Sequence, residues 1–356
     1  RITDPNADLT KGVGYSYKSS VDNRVVTFTG TLTNSTLTPT VSQTGNNWFL
    51  IGNSYPSSID FEAGTGWTWT GIYPSIWVRT NGTFASYNTE VHAGGNGGTQ
   101  YVSPMQSYWV YVDAATPSLG MDNQVRLHTT TGFLKSEPIL KDLRIFATIN
   151  GNSDETVVLF NEEASNAFDD YDTPNKLATG TGYPQVYTYA GNQITGINTF
   201  TEITEGFNLS IGLRTEIAGN YTFNFNGVEK MDGYILLLED KLTHSITNLN
   251  QEPEYTFYSD VTEGTNRFSI HFGKDVTSIT SVTNGLINIF STGKNLVVKG
   301  ENLNCGSVEV YNVLGQKMMS RTINGPITVI EGLSNGCYIV KVTSGTESNT
   351  RKIFIK

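Results

Sequence analysis

Apolar and polar residues alternate along most of the chain in short runs, and Gly, Asn, Ser or Pro ends each run, which is the pattern of half-buried strands joined by tight turns. YSYKS and RVVTFTGTLT, within residues 14–33, predict two strands with Val26, Phe28 and Leu32 on one face. Residues 47–61 read as an apolar strand entering a Gly/Pro turn, and SPMQSYWVYVD, residues 103–113, as another strand. A second run follows: DLRIFATING, ETVVLF, QVYTYAG, FNLSIGL, GNYTFNFNG, GYILLLEDK, PEYTFYSD and NRFSIHFG, with a helical turn expected at residues 162–168. A third run, from LINIFSTG to NTRKIFIK, fills residues 285–356.

Two stretches without apolar periodicity separate these runs: TTTGFLKSEP, residues 129–138, and KDVTSITSVT, residues 274–283. The expected division is a β-sandwich domain at 1–137, a second at 138–274, a linker at 275–284 and an Ig-like sandwich at 285–356. The fold class is all-β, with two jelly-roll or sandwich-like domains followed by a small Ig-like β-sandwich. Composition agrees, since 36 glycines and 18 tyrosines in 356 residues favour strands and turns over helices. A net charge of −10 sets the chain against nucleic acid and anionic membranes, which would repel it. No apolar run approaches the roughly eighteen residues of a spanning helix, so no transmembrane segment is expected.

Few residues carry candidate chemistry. Trp67, Trp69 and Trp77 lie close together in WTWTGIYPSIWVRT, and alternation puts Trp67 and Trp69 on one face of a shared strand. Three neighbouring indoles can form a flat platform for sugar rings, or they can fill a sandwich core. Asp169, Asp170 and Asp172 in FDDYDTPN offer oxygens to a hard cation such as calcium, the one cofactor the sequence admits. The EF-hand pattern fails because Pro174 stands at a ligand position, and a solvated Asx turn is the competing reading. Gly94, Gly95, Gly97 and Gly98 read as a mobile loop tip, since no strand-then-helix pattern makes them a phosphate cradle. Residues 332–336, GLSNG, fit Gly-x-Ser-x-Gly, but no His or Asp follows Ser334 to complete a triad. His92, His128, His244 and His271 show no paired metal spacing. A carboxylate pair for glycoside hydrolysis would leave no local spacing to find.

In the third run, VEVYNVLGQKM places Val310, Tyr311, Asn312, Leu314 and Gly315 in a hydrophobic-Tyr-Asn-x-x-Gly strand end. Leu333, Gly336 and Tyr338 form a Leu-x-x-Gly-x-Tyr turn into a strand, and a basic β-rich strand containing Lys352 comes last. These motifs, in this order, resemble the C-terminal sorting domain of the type IX secretion system. The resemblance implies recognition by the type IX machinery as a partner, export through the periplasm, and a final place outside the outer membrane, secreted or surface-bound. It also implies a signal peptide, and Arg1 opens the chain without one, so a mature or truncated form with more protein upstream is expected.

The earlier segments resemble a region found ahead of such tails: Trp48, Gly52, Asn53, Tyr55, Pro56 and Ser57 match it, with Ser54 in place of a Pro whose loss should loosen the turn. That region implies no activity. In the tail, Cys305 and Cys337 each precede or open a strand, and an oxidising compartment makes a disulfide or two free thiols the alternatives. Tyr311, Leu333, Tyr338 and Ile353 are expected in the tail's core. The leading expectation is a non-enzymatic secreted or cell-surface protein, adhesin-like or structural, with a glycan or protein ligand. The alternatives are a carbohydrate-binding accessory region and a hydrolase with an unrecognised carboxylate pair.

Overall fold

The computed structural model describes residues 7–17, 25, 27, 29–42, 46–80, 82–127, 141–204, 206–264, 266–274, 288–292, 295–299, 303, 305–312, 315–345 and 347–355. The chain is all-β and splits into two compact units, residues 1–277 and 278–356. Among the described residues the helical turns are two short 3-10 segments, Asn123–Val125 and Val228–Lys230. Residues 162–168, expected to turn helically, are bends and turns instead. Among the described residues no helix is long and apolar enough to cross a membrane. The expected boundary at 129–138 and the linker at 275–284 lie outside the described residues.

The first unit holds two large cores. Around the first are β1 (Trp48–Gly52), β2 (Ser58–Asp60), β3 (Trp67–Thr70), β4 (Ser75–Thr80), β5 (Thr83–Asn88), β6 (Ala93–Gly95), β7 (Tyr101–Val102), β8 (Ser107–Tyr111), β9 (Ser118–Met121) and β10 (Arg126–Leu127). They form sheets in the orders β1-β8-β4-β5-β6 and β10-β2-β7, with β3 paired to β9. Ile51, Tyr55, Ile59, Phe61, Tyr108 and Val110 are buried between them.

The GNSYPS turn after β1 is fixed by side chains. Asn53 Nδ2 donates to Ser57 O at 3.0 Å and Ser103 O at 3.0 Å, and its Oδ1 accepts from Tyr55 N at 3.0 Å. Ser54 does not simply loosen this turn, because its hydroxyl accepts from Gly12 N at 2.9 Å and ties down the N-terminal segment, which also bridges Val13 to Ile51. The two strands expected in residues 14–33 do not form ladders among the described residues; Leu32 is exposed, and Val26 and Phe28 lie outside the description.

From residue 142 the chain builds one sheet from β11 (Asp142–Ile149), β12 (Asn152–Phe160), β13 (Thr173–Pro174), β14 (Gln185–Ala190), β15 (Gln193–Phe200), β16 (Asn208–Arg214), β17 (Gly219–Asn226), β18 (Tyr234–Asp240), β19 (Ser245–Asn248), β20 (Glu254–Ser259) and β21 (Phe268–Lys274). The order is β19-β18-β21-β16-β14-β15-β12-β11-β17-β20, with β13 added beside β15. Alternation is kept: Leu143, Ile145, Ala147 and Ile149 of β11 and Tyr221, Phe223 and Phe225 of β17 are buried on one face.

That face is the inside of a curl. Phe223 on β17 and Phe257 on β20 meet Phe268 of β21 at 4.9 and 4.5 Å between ring centroids, although β21 lies toward the opposite end of the sheet order. Asp240 on β18 laces the two ends together, accepting from Arg267 at 2.7 and 2.6 Å and from the Tyr255 hydroxyl of β20 at 2.9 Å. Burial alone would raise the Asp240 carboxyl, but these donors bring it to about 2.

The second unit is a sandwich of two sheets. β22 (Asn288–Thr292), β23 (Asn295–Lys299) and β26 (Ile327–Ile330) face β24 (Gly306–Asn312), β25 (Lys317–Ile323), β27 (Gly336–Ser344) and β28 (Glu347–Ile355), in the orders β22-β23-β26 and β25-β24-β27-β28. Leu296, Val308, Val310, Tyr338, Val340, Val342, Leu333 and Ile353 fill the core. Tyr311 does not join it: period-2 alternation turns it outward from Val310, half-buried, with its hydroxyl donating to Glu309 Oε2 at 2.8 Å. Cys305 and Cys337 are free thiols, which decides between the two alternatives against the disulfide, although neither is buried. The register explains it. Ser307 pairs Thr343 and Asn312 pairs Tyr338, so the cysteines sit near opposite ends of the β24–β27 ladder, roughly 25 Å apart at the rise of a strand.

Candidate functional site

The strand β12 departs from alternation, since every residue from Asp154 to Leu159 is buried. Val158 faces the barrel core, whereas Val157 and Leu159 face outward onto Val91 and Ala93 of the preceding module, together with Ile197 of β15. A sheet covered on both faces reads as a continuous apolar run. The covering surface includes the GGNGG segment, which is packed rather than a mobile loop tip: a Cβ on Gly94 or Gly98 would meet Gly98 O or Ser86 O at 2.0 Å. Asn96 and Gly97, at φ 54° and 74°, turn the chain there.

The seam is held by buried polar groups. Asp154 accepts from Thr83 Oγ1 at 2.5 Å, Asn96 Nδ2 at 2.9 Å and Val186 N at 2.8 Å. Asn96 N donates to Glu155 Oε2 at 2.5 Å, and Arg144 joins Glu155, Asp142 and Gly94 O at 2.7, 2.8 and 3.2 Å. Burial pushes Asp154 up to about 6, and its hydrogen bonds offset only part of that. Asp172 is pushed to about 7 by the same cause, although Thr199 N and Asp169 N donate to its two oxygens at 2.8 and 3.0 Å.

Lys176, just beyond, puts its ammonium 4.0 Å from the ring centroids of both Trp48 and Trp109. Burial lowers this ammonium to about 8, while the two indole faces favour its charged form. Little in the residue pattern points to Asp154, Glu155, Asn96 or Lys176; the usable signal is the unbroken apolar run TVVLF directly after two acidic residues.

The tryptophans separate. Trp67 and Trp69 do share one face of β3, with rings stacked at 5.9 Å and 19° between planes, half-buried against Phe61 at 4.7 and 5.2 Å. Trp77 cannot join a three-indole platform: it lies on β4, is 1% exposed, and donates Nε1 to Pro174 O at 3.1 Å across the seam. Beside the remaining pair runs a polar cluster. Trp67 Nε1 donates to Asp60 O at 2.8 Å; Asp60 Oδ1 accepts from Gln100 Nε2 at 3.0 Å; Glu62 Oε1 meets Tyr87 OH at 2.6 Å and His92 Nδ1 at 2.5 Å.

The aspartate trio closes on its own backbone. Asp169 accepts from Tyr171 N at 2.9 Å and Ser165 N at 2.7 Å, and Asp172 from Asp169 N and from Thr199 N of β15, so two of the three carboxylates are engaged by backbone amides. Among the described residues no group of three His, Cys, Asp or Glu side chains is placed to hold a metal ion.

In the tail, Asn312 and Gly315 make a side-chain-closed turn. Gln316 N donates to Asn312 Oδ1 at 3.0 Å, Gly315 N to Asn312 O at 3.0 Å, and Gly315 takes φ 80°, where a side chain would be strained. Leu333 and Tyr338 are buried, the Tyr338 hydroxyl donating to Ser334 O at 2.9 Å across the turn that Gly336 leaves. Ser334 thus sits in an irregular segment that bends at Asn335 into β27, with no strand-to-helix elbow. Lys352 is exposed on the outer face of β28, its ammonium 5.3 Å from the Phe354 ring.

Comparison with known proteins fits this division. Residues 2–272 match a family described as a domain of unknown function, DUF8693, and residues 267–356 match the secretion system C-terminal sorting domain. A comparison with curated proteins finds no match. The chain belongs to the DUF8693 family and carries a type IX sorting domain that sends it to the cell surface or out of the cell.

Proposed function

We propose that residues 1–277 are a non-enzymatic passenger, adhesin-like or structural, that the tail delivers outside the cell. The observation that supports this reading is what surrounds the strongly perturbed carboxylates. Such groups often mark catalysis, but Asp154 and Asp172 are buried, and both oxygens of each accept from donors of the fold itself. Asp154 joins two modules through Thr83 and Asn96, and Asp172 fastens its own loop to β15 through Thr199 N. The experiment is to incubate the purified chain with a panel of polysaccharides and unfolded proteins, following both retention and release of reducing ends or peptides. Retention without turnover is expected; turnover that disappears in Asp154→Asn or Asp172→Asn while the fold persists would overturn the reading.

Within this reading, a carbohydrate ligand is favoured over a protein ligand by one feature. The Trp67–Trp69 pair, stacked ring on ring and packed on Phe61, stays partly exposed, and an accessible indole is a surface that the apolar face of a sugar ring can cover.

A further inference from the structure

On the other face of β3 from the indole pair, the backbone of β9 is left open beside a cleft. Alternation along β3 sets Trp67 and Trp69 toward Phe61 and turns Thr68 and Thr70 outward. Leu37 exchanges both backbone hydrogen bonds with Met121, at 2.8 and 2.9 Å, so the next residue in phase on β9, Leu119, points its N–H and C=O to the same side. The residue that would answer it is Pro39, which has no N–H to give, and there the ladder stops. Among the described residues the Leu119 amide and carbonyl have no backbone partner, although Leu119 is 3% exposed. Buried backbone groups are nearly always paired, and here a partner can reach them only from the cleft.

The segment that departs from β9 after Leu37 walls a cavity of about 300 Å³. Its buried lining is apolar, Pro39, Val41 and Leu119, and its exposed lining carries the hydroxyls of Thr38, Thr40, Thr68 and Ser118. None of those four hydroxyls has a partner among the described residues. Gly120 lines the cleft without a side chain, since a Cβ there would meet Thr68 Oγ1 at 2.4 Å. The far wall is fixed from behind: Gly12, at φ 77°, packs so closely that a Cβ would come within 3.0 Å of Pro39 Cγ, and Gly12 N is tied to Ser54 Oγ at 2.9 Å.

What the cleft offers limits what it can take. Among the described residues no charged side chain lines it, so an ionic group entering it would lose water without gaining a counter-charge. An extended peptide needs a ladder of several amides, and this edge offers the pair of one residue, because Met121 is taken by Leu37 and Pro117 has no N–H. The volume lies at the small end of ligand cavities, which run from about 300 to 1,000 Å³. A sugar ring meets all three conditions, being small, uncharged, apolar on one face and equipped with hydroxyls that both donate and accept.

We propose that the cleft between β9 and residues 38–41 binds one neutral sugar ring, set on Val41 and Leu119 with its hydroxyls bonded to Thr40, Thr68, Ser118 and the Leu119 backbone. The site shares its class of ligand with the glycan reading above, but it lies on the opposite face of β3 from Trp67 and Trp69, so the two can be separated by mutation.

The test is saturation-transfer NMR of the whole chain with glucose, galactose, mannose, xylose and N-acetylglucosamine, and with glucuronate and glucosamine as charged comparisons. Thr68→Val combined with Ser118→Ala removes two exposed hydroxyls, and Thr40→Trp fills the cleft from an exposed position. Trp69→Ala reports the indole pair, and thermal melting reports the fold. At least one neutral sugar should bind, with a Kd in the millimolar range as expected of so small a ligand. Affinity should fall about fivefold or more in the double variant, vanish in Thr40→Trp and stay unchanged in Trp69→Ala.

Binding that survives both cleft variants, or charged sugars bound as tightly as the neutral ones, overturns the proposal. Loss in Trp69→Ala alone also overturns it and leaves the indole reading in place. No binding of any small neutral sugar overturns the cleft as well; a polysaccharide still retained by the chain, and released by Trp69→Ala, would then show that the glycan reading stands without it.

Discussion

The passenger and the tail are both β-rich, yet they exclude water by different means. All twenty buried polar or charged residues identified among the described positions lie between Thr33 and Ser269, and none lies in the tail, whose core is aliphatic residues and one tyrosine. The charges divide as well. Eight Lys and Arg against four Asp and Glu give residues 278–356 a net +4, which leaves −14 of the total −10 on residues 1–277. An apolar core can form wherever the chain is placed, because it depends on no partner group outside itself. A polar seam forms only when every donor finds its acceptor, so it specifies one arrangement of its elements. The tail is built to be carried by any passenger, and the passenger to hold one shape.

The sharpest way to break this comparison is to separate the two. Removing residues 278–356 should abolish export in a cell with type IX machinery and leave the passenger folded in the periplasm, while the tail fused behind a signal peptide and an unrelated protein should reach the surface. Cell fractionation and surface proteolysis read both outcomes; surface display of the tail-less chain would show that the two regions are not divided in this way.

Next in size is the seam. Asp154→Ala should lower the passenger's unfolding free energy by about 3 kcal/mol, since it strands the Thr83, Asn96 and Val186 donors in a buried site. In the tail, Val340→Ala should cost about 2 kcal/mol, through lost burial alone. Denaturant titration of each variant checks both, and an Asp154→Ala protein as stable as wild type would remove the seam from the argument.

The pH response should differ too. Asp154 and Asp172 are raised from 3.8 to about 6 and about 7, so between roughly pH 4 and 7 the folded chain binds more protons than the unfolded one. Passenger stability should therefore fall as pH rises through that window, by a few kcal/mol in all. Asp240, lowered to about 2, acts the other way and loses its contribution only as pH falls below about 4. Melting temperatures of the passenger measured from pH 4 to 8 should decline, and Asp172→Asn should flatten the decline. A curve that rises toward neutrality would contradict the burial of these two groups.

The smallest effect belongs to the cysteines. With Cys305 and Cys337 free, Cys305→Ser and Cys337→Ser should move stability by no more than about 0.5 kcal/mol, and a reductant should leave the tail's melting unchanged. A drop on reduction would restore the bridge.

The tail was legible because its strands alternate strictly and its turns need special residues: Gly315 at positive φ, Asn312 closing the same turn, and Leu333 and Tyr338 on the buried side. Strand segments such as DLRIFATI and GNYTFNFN were legible for the same reason. Tyr311 was misplaced because the motif marks a position without saying which way period-2 alternation turns it. Disulfide and free thiols could not be told apart from the sequence, because two cysteines of one sandwich are near in sequence terms, whereas register decides where they stand.

The seam was invisible for another reason. Asp154 meets Thr83 and Asn96 from more than fifty residues away, and a glycine cluster that faces such a partner has the same composition as a free loop. Trp67 and Trp69 could be paired from spacing, but Trp77 could not be separated from them until the sheet to which each belongs was known.

The two-sided burial of β12 also bears on how this passenger can be divided. Cutting near residue 138 would leave Val157, Leu159 and Ile197 bare, an apolar strip on the outer wall of an otherwise intact barrel. The isolated fragment would have every strand it needs and still associate through that wall, because the surface it lacks belongs to residues 91–98. A change in composition marks where the chain crosses from one sheet system to the next, but the shared core makes the pair of modules fold as one piece.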